Sequence, residues 1–389
     1  MDRRNFIVLA AVSVAASPFA AVAGAGDVTL RAAGQAGPAQ PADPHTSRLG
    51  ATWRGAAADS AQQVGIIEID WERRAVRVAS AVQVPGRGHG LQAEEDGGIV
   101  AAAFRYGTWL WRLDADGRLM RSVSTTDEPG NRRFAGHVIV HPGGEALLTT
   151  EFDADSGEGW IGVRDRRTLR KLDEWRSHGP EPHQLLVDPD GGIVVANGSV
   201  LRTSDGRKRD LDRMDSSLVL LDARTGASRG QWRLQDRRLS VRHMAWSALP
   251  GQDRPVLGLA LQAEHDDPAR RADAPLLAVW DGRDLDVPAF GGGGDGYAGD
   301  IAPAEGGFVI SCQTTGQALL WRHDAPSELT LIARMQQACA LSRIGEGAVV
   351  IAGAKGVGRW HPSEPAMLLP WPQALALGSH WAPLAPRAA

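Results

Sequence analysis

The chain of 389 residues holds only two cysteines, Cys312 and Cys339, so at most one disulfide can staple it. The two fall at similar depth in neighbouring sequence units. An oxidising compartment would permit a bridge between them, and two buried thiols serving as small apolar residues are the alternative. Basic charge is not in excess either. A net charge of -4 and a pI near 6.3 leave no basic stripe to neutralise phosphates, which excludes nucleic acid as the expected partner. Also missing are a phosphate-cradling glycine loop, the C-x-x-C-H of covalently attached haem and the H-E-x-x-H of zinc hydrolases. One string, Gly226-Ala227-Ser228-Arg229-Gly230, matches G-x-S-x-G. It lies in a hairpin turn after Asp222 rather than between a buried strand and a helix, so it is no nucleophile elbow. Long apolar runs at helical spacing are scarce.

What is present is the punctuation of short strands and tight turns: 46 Gly, 23 Pro and 13 Trp in a chain that is 43% hydrophobic and 23% charged. That balance suits an all-β protein with a substantial core. Residues 133–198 show the unit from which it is built. His137 opens His-Val-Ile-Val-His-Pro-Gly-Gly and His183 opens His-Gln-Leu-Leu-Val-Asp-Pro-Asp-Gly-Gly, and each is followed by a turn and a second apolar run.

The period of roughly 40 to 50 residues is that of a β-propeller, in which each blade is a four-stranded sheet. The third strand of each unit is an apolar run ending in Asp, at Asp70, Asp114, Asp165, Asp222, Asp281 and Asp324. A seventh copy, Val357-Gly358-Arg359-Trp360-His361-Pro362, lacks the Asp. An Asp at this place bonds backbone two residues on and starts the turn, so these carboxylates are scaffold. Seven third strands predict a seven-bladed β-propeller over 49–389. The first unit has no room for its own innermost strand, and residues 376–386, with His380-Trp381-Ala382-Pro383, are expected to supply it by pairing with the blade of residues 50–84. Such closure removes an exposed sheet edge.

The N-terminus reads differently. Arg3 and Arg4 precede an apolar run to Ala23, and Ala21-Val22-Ala23 fits signal peptidase. Residues 1–23 are expected to be a twin-arginine signal peptide, 24–48 a flexible leader, and the mature protein periplasmic, with no stable membrane span after cleavage. An uncleaved anchor is the alternative, but Ser17-Pro18 breaks the run. A monomer is expected.

In a propeller the innermost strands line the central channel. Their openings here are Gly88-His89, Gly136-His137, Pro182-His183, Arg242-His243, Gly299-Asp300, Ala338-Cys339 and Ser379-His380. Five of the seven carry His and one Asp, out of eleven histidines in all. Converging neutral imidazoles bind transition metals, and a carboxylate among them favours iron, copper, zinc or manganese over calcium. The predicted metal ligands are His89, His137, His183, His243, Asp300 and His380. Iron or copper is expected, with zinc a further choice. Polar residues that order channel water and acid/base groups are the competing readings. Were the channel too wide for one ion, His137, His183 and His243 would be the neighbours able to share it.

Other polar groups lie near the same end. Glu151, Asp153 and Asp155 follow a second strand and read as a solvated loop or as extra oxygen ligands. Arg87, Arg105 and Arg242 read as a positive rim binding a cofactor through carboxylate, phosphate or haem propionate, or as ties between blades. His141, His178, His265, His323 and His361 fall outside the repeat position and read as surface or turn residues.

A set of phrases resembles, in order, the bacterial export family known as domain-of-unknown-function family 1513. They are Gly136-His137-Val138 through Thr149-Thr150-Glu151, Gly159-Trp160-Ile161-Gly162-Val163, His178-Gly179-Pro180-Glu181-Pro182-His183, Val195-Ala196-Asn197-Gly198, Ser217-Leu218-Val219 and Val241-Arg242-His243. The resemblance runs from about Leu49 to the C-terminus and is densest between residues 133 and 245. It implies a periplasmic propeller-like protein without assigned chemistry, encoded near imelysin-type and di-haem peroxidase-like proteins of iron acquisition. Periplasmic iron-uptake or haem proteins are therefore the implied partners. The chain departs from the family at Glu151-Phe152-Asp153, where an acidic-Asn-Asp run is usual, and at Phe104-Arg105, where a doubled Arg is usual.

Overall fold

The computed structural model describes residues 45–385 apart from 56, 58, 204–205, 289–292 and 346. The expected signal peptide and most of the leader thus lie outside the described residues. Within that span the chain winds into seven four-stranded antiparallel sheets, the blades of a β-propeller. Blade 1 takes Thr46–Gly55, Gln62–Asp70 and Ala75–Gln83 from the beginning of the fold, and its innermost strand, Leu375–Pro383, from the end. Leu49 pairs with Pro383 and Gly55 with Leu375, so the ring closes as the sequence predicts. The first strand begins earlier than expected. Thr46, Ser47 and Arg48 pair with Asp70, Ile69 and Glu68, which brings the last residues of the expected leader into the sheet.

The remaining inner strands are Gly88–Ala93 in blade 2, Arg132–Val140 in blade 3, Pro182–Val187 in blade 4, Leu239–Ser247 in blade 5, Asp300–Ala304 in blade 6 and Leu341–Ile344 in blade 7. The next strand out in each blade is buried along most of its length, as in Ile99–Ala103 and Ala348–Gly353, because both of its faces pack on a neighbouring blade. The outermost strands, such as Ala75–Gln83, alternate between exposed and half-buried positions.

Core clusters span the joins between blades. Leu49, Trp53, Val350, Trp371 and Trp381 pack blade 1 against blade 7. Val194, Leu218, Leu257 and Trp280 pack blade 4 against blade 5. Burying one such side chain contributes roughly 1.5–3 kcal/mol, so the ring is held by the same kind of contact repeated around it. Five of the six third-strand aspartates act as expected, accepting backbone N–H bonds from the turn: Asp70 from Arg73, Asp114 from Asp116, Asp165 from Thr168, Asp222 from Arg224 and Asp281 from Arg283. Asp324 instead holds the Arg322 guanidinium of its own strand.

Cys312 and Cys339 are both free and buried, Cys312 between blades 5 and 6 and Cys339 between blades 7 and 1. Burial pushes both thiols up to about 12, so they serve as small apolar residues and the bridge is not made. Among the described residues no helix is long and apolar enough to cross a membrane.

Candidate functional site

Each of the five repeat-position histidines sits where its inner strand slips register against the next strand. The slips fall between Gly88 and Leu91, Phe134 and Val138, Pro182 and Leu185, and Val241 and Met244. The fifth lies where Trp381 pairs with Ala51 while Leu377 pairs with Trp53. A β-bulge re-aims a side chain, and here it turns His89, His137, His183, His243 and His380 from five consecutive blades toward one another. Glycine makes the approach feasible. A Cβ on Gly90 would stand 2.5 Å from the Gly136 carbonyl oxygen and 3.0 Å from His137 Nδ1. One on Gly136, whose φ is +127°, would stand 2.6 Å from His89 Cδ2.

The result is a knot of imidazoles. Ring centroids lie 4.1 Å apart for His243 and His380, 4.5 Å for His89 and His380, 4.5 Å for His183 and His243, 4.8 Å for His89 and His137, and 5.3 Å for His137 and His183. The channel is therefore not too wide, and the grouping is larger than His137, His183 and His243 alone. His89, His137, His183 and His243 each offer a nitrogen within 4.8 Å of the others, and His243, Asp300 and His380 form a second such set. All are buried. The cluster is able to hold a metal ion.

Its electrostatics suit that task. Burial, and after it the neighbouring rings, holds His89, His137, His183 and His243 well below the usual imidazole range, so each is neutral at neutral pH and keeps a lone pair. Both ring nitrogens of His89 and Nε2 of His137 and of His380 are buried without a protein hydrogen-bond partner. A buried polar atom left unpaired costs about 1–3 kcal/mol, so these atoms are poised for a ligand. His183 Nε2 and His243 Nε2 lie 2.7 Å apart.

Asp300 is placed by blade 6 at the edge of the knot. Its Oδ1 lies 3.1 Å from His380 Nδ1, and its oxygens also accept from the backbone N–H of Ile301 and Leu341. A carboxylate on Nδ1 fixes the tautomer that leaves the Nε2 lone pair free, the arrangement seen behind metal-bound histidines. Asp300 is thus engaged in orienting His380. Cys339, at the equivalent place in blade 7, is packed among apolar residues.

The arginines divide. Arg105 Nη2 and Arg242 Nη1 bind the same carboxylate oxygen of Glu181, at 2.9 and 2.8 Å, which ties blades 2 and 5 through the corner before blade 4. Arg242 Nη1 also lies 3.4 Å from His183 Nδ1. Arg87 lies 4.3 Å above the Phe104 ring, whose edge meets His89 at 4.8 Å.

Other sequence expectations need correction. Glu151 is neither loop nor ligand: it is fully buried in a strand and bound to Arg164 at 2.8 Å and Lys171 at 2.6 Å. Asp153 is bound to Arg132 at 2.7 Å, while Asp155 is exposed and takes a bond from Asn131. His265, read as a surface or turn residue, lies between elements but is buried against Asp236 at 2.9 Å.

A cavity of about 830 Å³ opens beside the rings, and His89, His183 and His243 form part of its wall. Sequence reading missed Phe104, Arg202, Arg271 and Tyr297, which meet here, and Glu181, which holds Arg105 and Arg242 of its wall. Only Glu181 left a signal, its place two residues before His183 in the chain.

Comparison with known proteins bears on the fold and the family. The chain is similar in structure to a putative 6-phosphogluconolactonase from Bacteroides fragilis, with TM-score 0.60 and 11% identity over 87% of this chain and 98% of that one. It is similar to hydrazine synthase from Kuenenia stuttgartiensis, with TM-score 0.53 and 12% identity over 82% and 95%. It is also similar to virginiamycin B lyase from Staphylococcus aureus, with TM-score 0.51 and 12% identity over 74% and 85%. At such identity these likenesses speak to the propeller architecture alone. No curated protein matches the chain in sequence. A family model does match, over residues 82–383, a span that takes in all five clustered histidines. The chain belongs to the family described as "Protein of unknown function (DUF1513)".

Proposed function

We propose that this protein is an exported periplasmic propeller that binds a transition metal through the inner-strand histidines. The observation that carries the reading is the knot itself: four mutually adjacent buried imidazoles kept neutral by their surroundings, with a fifth, His380, oriented by Asp300. All-imidazole donor sets suit iron, copper and zinc rather than calcium or magnesium. His89, His137, His183 and His243 are the proposed ligands, with His380 adding a donor and Asp300 orienting it. Arg3 and Arg4 support export by the twin-arginine route, and what the family resemblance implies about neighbours supports iron handling alongside exported iron-uptake or haem proteins.

The cavity beside the rings favours a second reading, in which a bound metal keeps an open position for a water or substrate and works as a redox or hydrolytic centre. Both readings require the metal. Elemental analysis of protein purified without chelator tests it: about one equivalent of iron, copper or zinc, lost in His89→Ala/His243→Ala, is expected. Background metal in the wild type, with no rise in Tm on adding any of the three ions, would overturn it. For export, Arg3→Lys/Arg4→Lys is expected to leave the protein in the cytoplasmic fraction, and unchanged periplasmic recovery would contradict the route.

A further inference from the structure

The walls of the cavity beside the histidines carry far more positive than negative charge. Arg87, Arg105, Arg202, Lys208, Arg242 and Arg271 line it, against the carboxylates of Glu264 and Asp295. Some of these cations are already engaged. Lys208 binds Glu264, and Arg105 and Arg242 share the single carboxylate of Glu181. Two guanidiniums on one carboxylate leave a positive charge over. Arg105 Nε and Nη1 and Arg242 Nε are buried and have no partner, although the Arg105 side chain is only 9% exposed. Arg87, Arg202 and Arg271 have no carboxylate within ion-pair distance among the described residues.

Cations left without carboxylates around one cavity repel one another until an anion offsets them. Their distribution narrows its class. The cations come from separate blades: Arg87 and Arg105 from blade 2, Arg202 from the loop after Ile193–Asn197 of blade 4, and Arg242 and Arg271 from blade 5, the latter on the short helix Pro268–Ala272. A single phosphate would draw its arginines to one point. Cations spread over the walls of about 830 Å³, with His89 and His243 in the same wall, ask for several anionic groups on one small molecule. Guanidinium forks match carboxylates two bonds at a time.

We propose that the cavity binds a small polycarboxylate, held by Arg87, Arg105, Arg202 and Arg271, with one carboxylate facing the histidine cluster so that it supplies oxygen to the metal there. The inference rests on the metal-site reading for that last contact alone. The arginine contacts are independent of it.

The test is calorimetric titration of the full-length mature protein, metal-free and zinc-loaded, with tricarballylate, acetate and inorganic phosphate, alongside zinc titration without added anion. Tricarballylate is expected to bind at least tenfold more tightly than acetate or phosphate. In Arg87→Gln/Arg271→Gln it is expected to lose at least tenfold, while zinc affinity without anion stays as in the wild type. Arg202→Gln serves as a second, separate variant should that pair fail to fold. Tricarballylate no tighter than acetate, an equal or tighter response to phosphate, or binding unaffected by both variants would each overturn the proposal. Tricarballylate binding to protein that takes up no zinc would sustain the arginine site and sink the metal reading. Zinc binding without tricarballylate binding would do the reverse.

Discussion

His183 Nε2 and His243 Nε2 stand 2.7 Å apart, a hydrogen-bond distance, so one proton lies between two imidazole nitrogens. Arg242 decides on which ring. Its Nη1, 3.4 Å from His183 Nδ1, can only donate, so Nδ1 of His183 is the accepting nitrogen and its Nε2 carries the proton given to His243. Two nitrogens on one tetrahedral ion at 2.0–2.1 Å would stand about 3.3 Å apart. A metal between these rings must therefore part them and displace that proton.

Zinc titration at pH 8 in buffers of different ionisation enthalpy should accordingly report no net proton release, because each ring is already neutral and the displaced proton passes from Nε2 to Nδ1 of the same ring. Release of a full proton per ion would mean that the metal-free cluster holds a charged imidazole.

His243 belongs to both sets of adjacent donors, the four-histidine set and the set with Asp300 and His380. His243→Ala is expected to weaken zinc binding by more than about 100-fold, and Asp300→Asn, which only disturbs the orientation of His380, by roughly 10–100-fold. Chelator competition measures both. An effect of Asp300→Asn exceeding that of His243→Ala would reverse the roles assigned to them.

The metal-free protein should lose stability in acid in two windows. The folded values of His89, His137, His183 and His243 lie well below 6.5. Their contribution is therefore complete above about pH 6.5 and falls as pH drops below it, because the unfolded chain takes up protons that the folded one refuses. Glu151 acts lower. Burial alone would raise its carboxyl, but Arg164 and Lys171 more than reverse this and hold it below 4.5, so its share is lost only as pH falls below about 4.5. Denaturant midpoints at pH 8, 6 and 4 should drop in both intervals, and His89→Gln should flatten the first. A flat profile between pH 8 and 5 would mean that the rings are not buried as described.

Much of this arrangement was legible in the chain, for physical reasons. Third strands announce themselves because an Asp such as Asp222 must cap the turn after an apolar run, and the five histidines stand out because they recur at one place in the period. The bulges were not legible, since a register slip depends on how two strands meet and leaves no composition of its own. Nor was Glu181 as partner of Arg105 and Arg242, a contact across separations that no local pattern encodes. Glu151 misled because an acidic string resembles a loop, whereas Arg164, thirteen positions on, neutralises it inside the blade.

That burial makes Arg164 a structural anchor, bound to Glu151 at 2.8 Å and Glu128 at 2.6 Å. Arg164→Ala leaves the buried Glu151 carboxylate to Lys171 alone, and about 1–3 kcal/mol of stability should be lost. Denaturant unfolding provides the check, and a loss below about 1 kcal/mol would place the pair in effective contact with water.

The close approach of Gly136 to His89 gives a further prediction. Gly136→Ala places a methyl 2.6 Å from His89 Cδ2 at a φ of +127°, so about 1–3 kcal/mol should be lost and zinc affinity should fall with it. A variant as stable as the wild type, with unchanged zinc binding, would contradict the packing described for the bulge.

The most direct measurement is anomalous diffraction from crystals of protein purified without chelator, scanned across the iron, copper and zinc edges. One strong peak is expected among His89, His137, His183 and His243, about 2.0–2.2 Å from their ring nitrogens. Rings that superpose on the arrangement described here, with no anomalous signal among them even after soaking in each metal, would contradict the account.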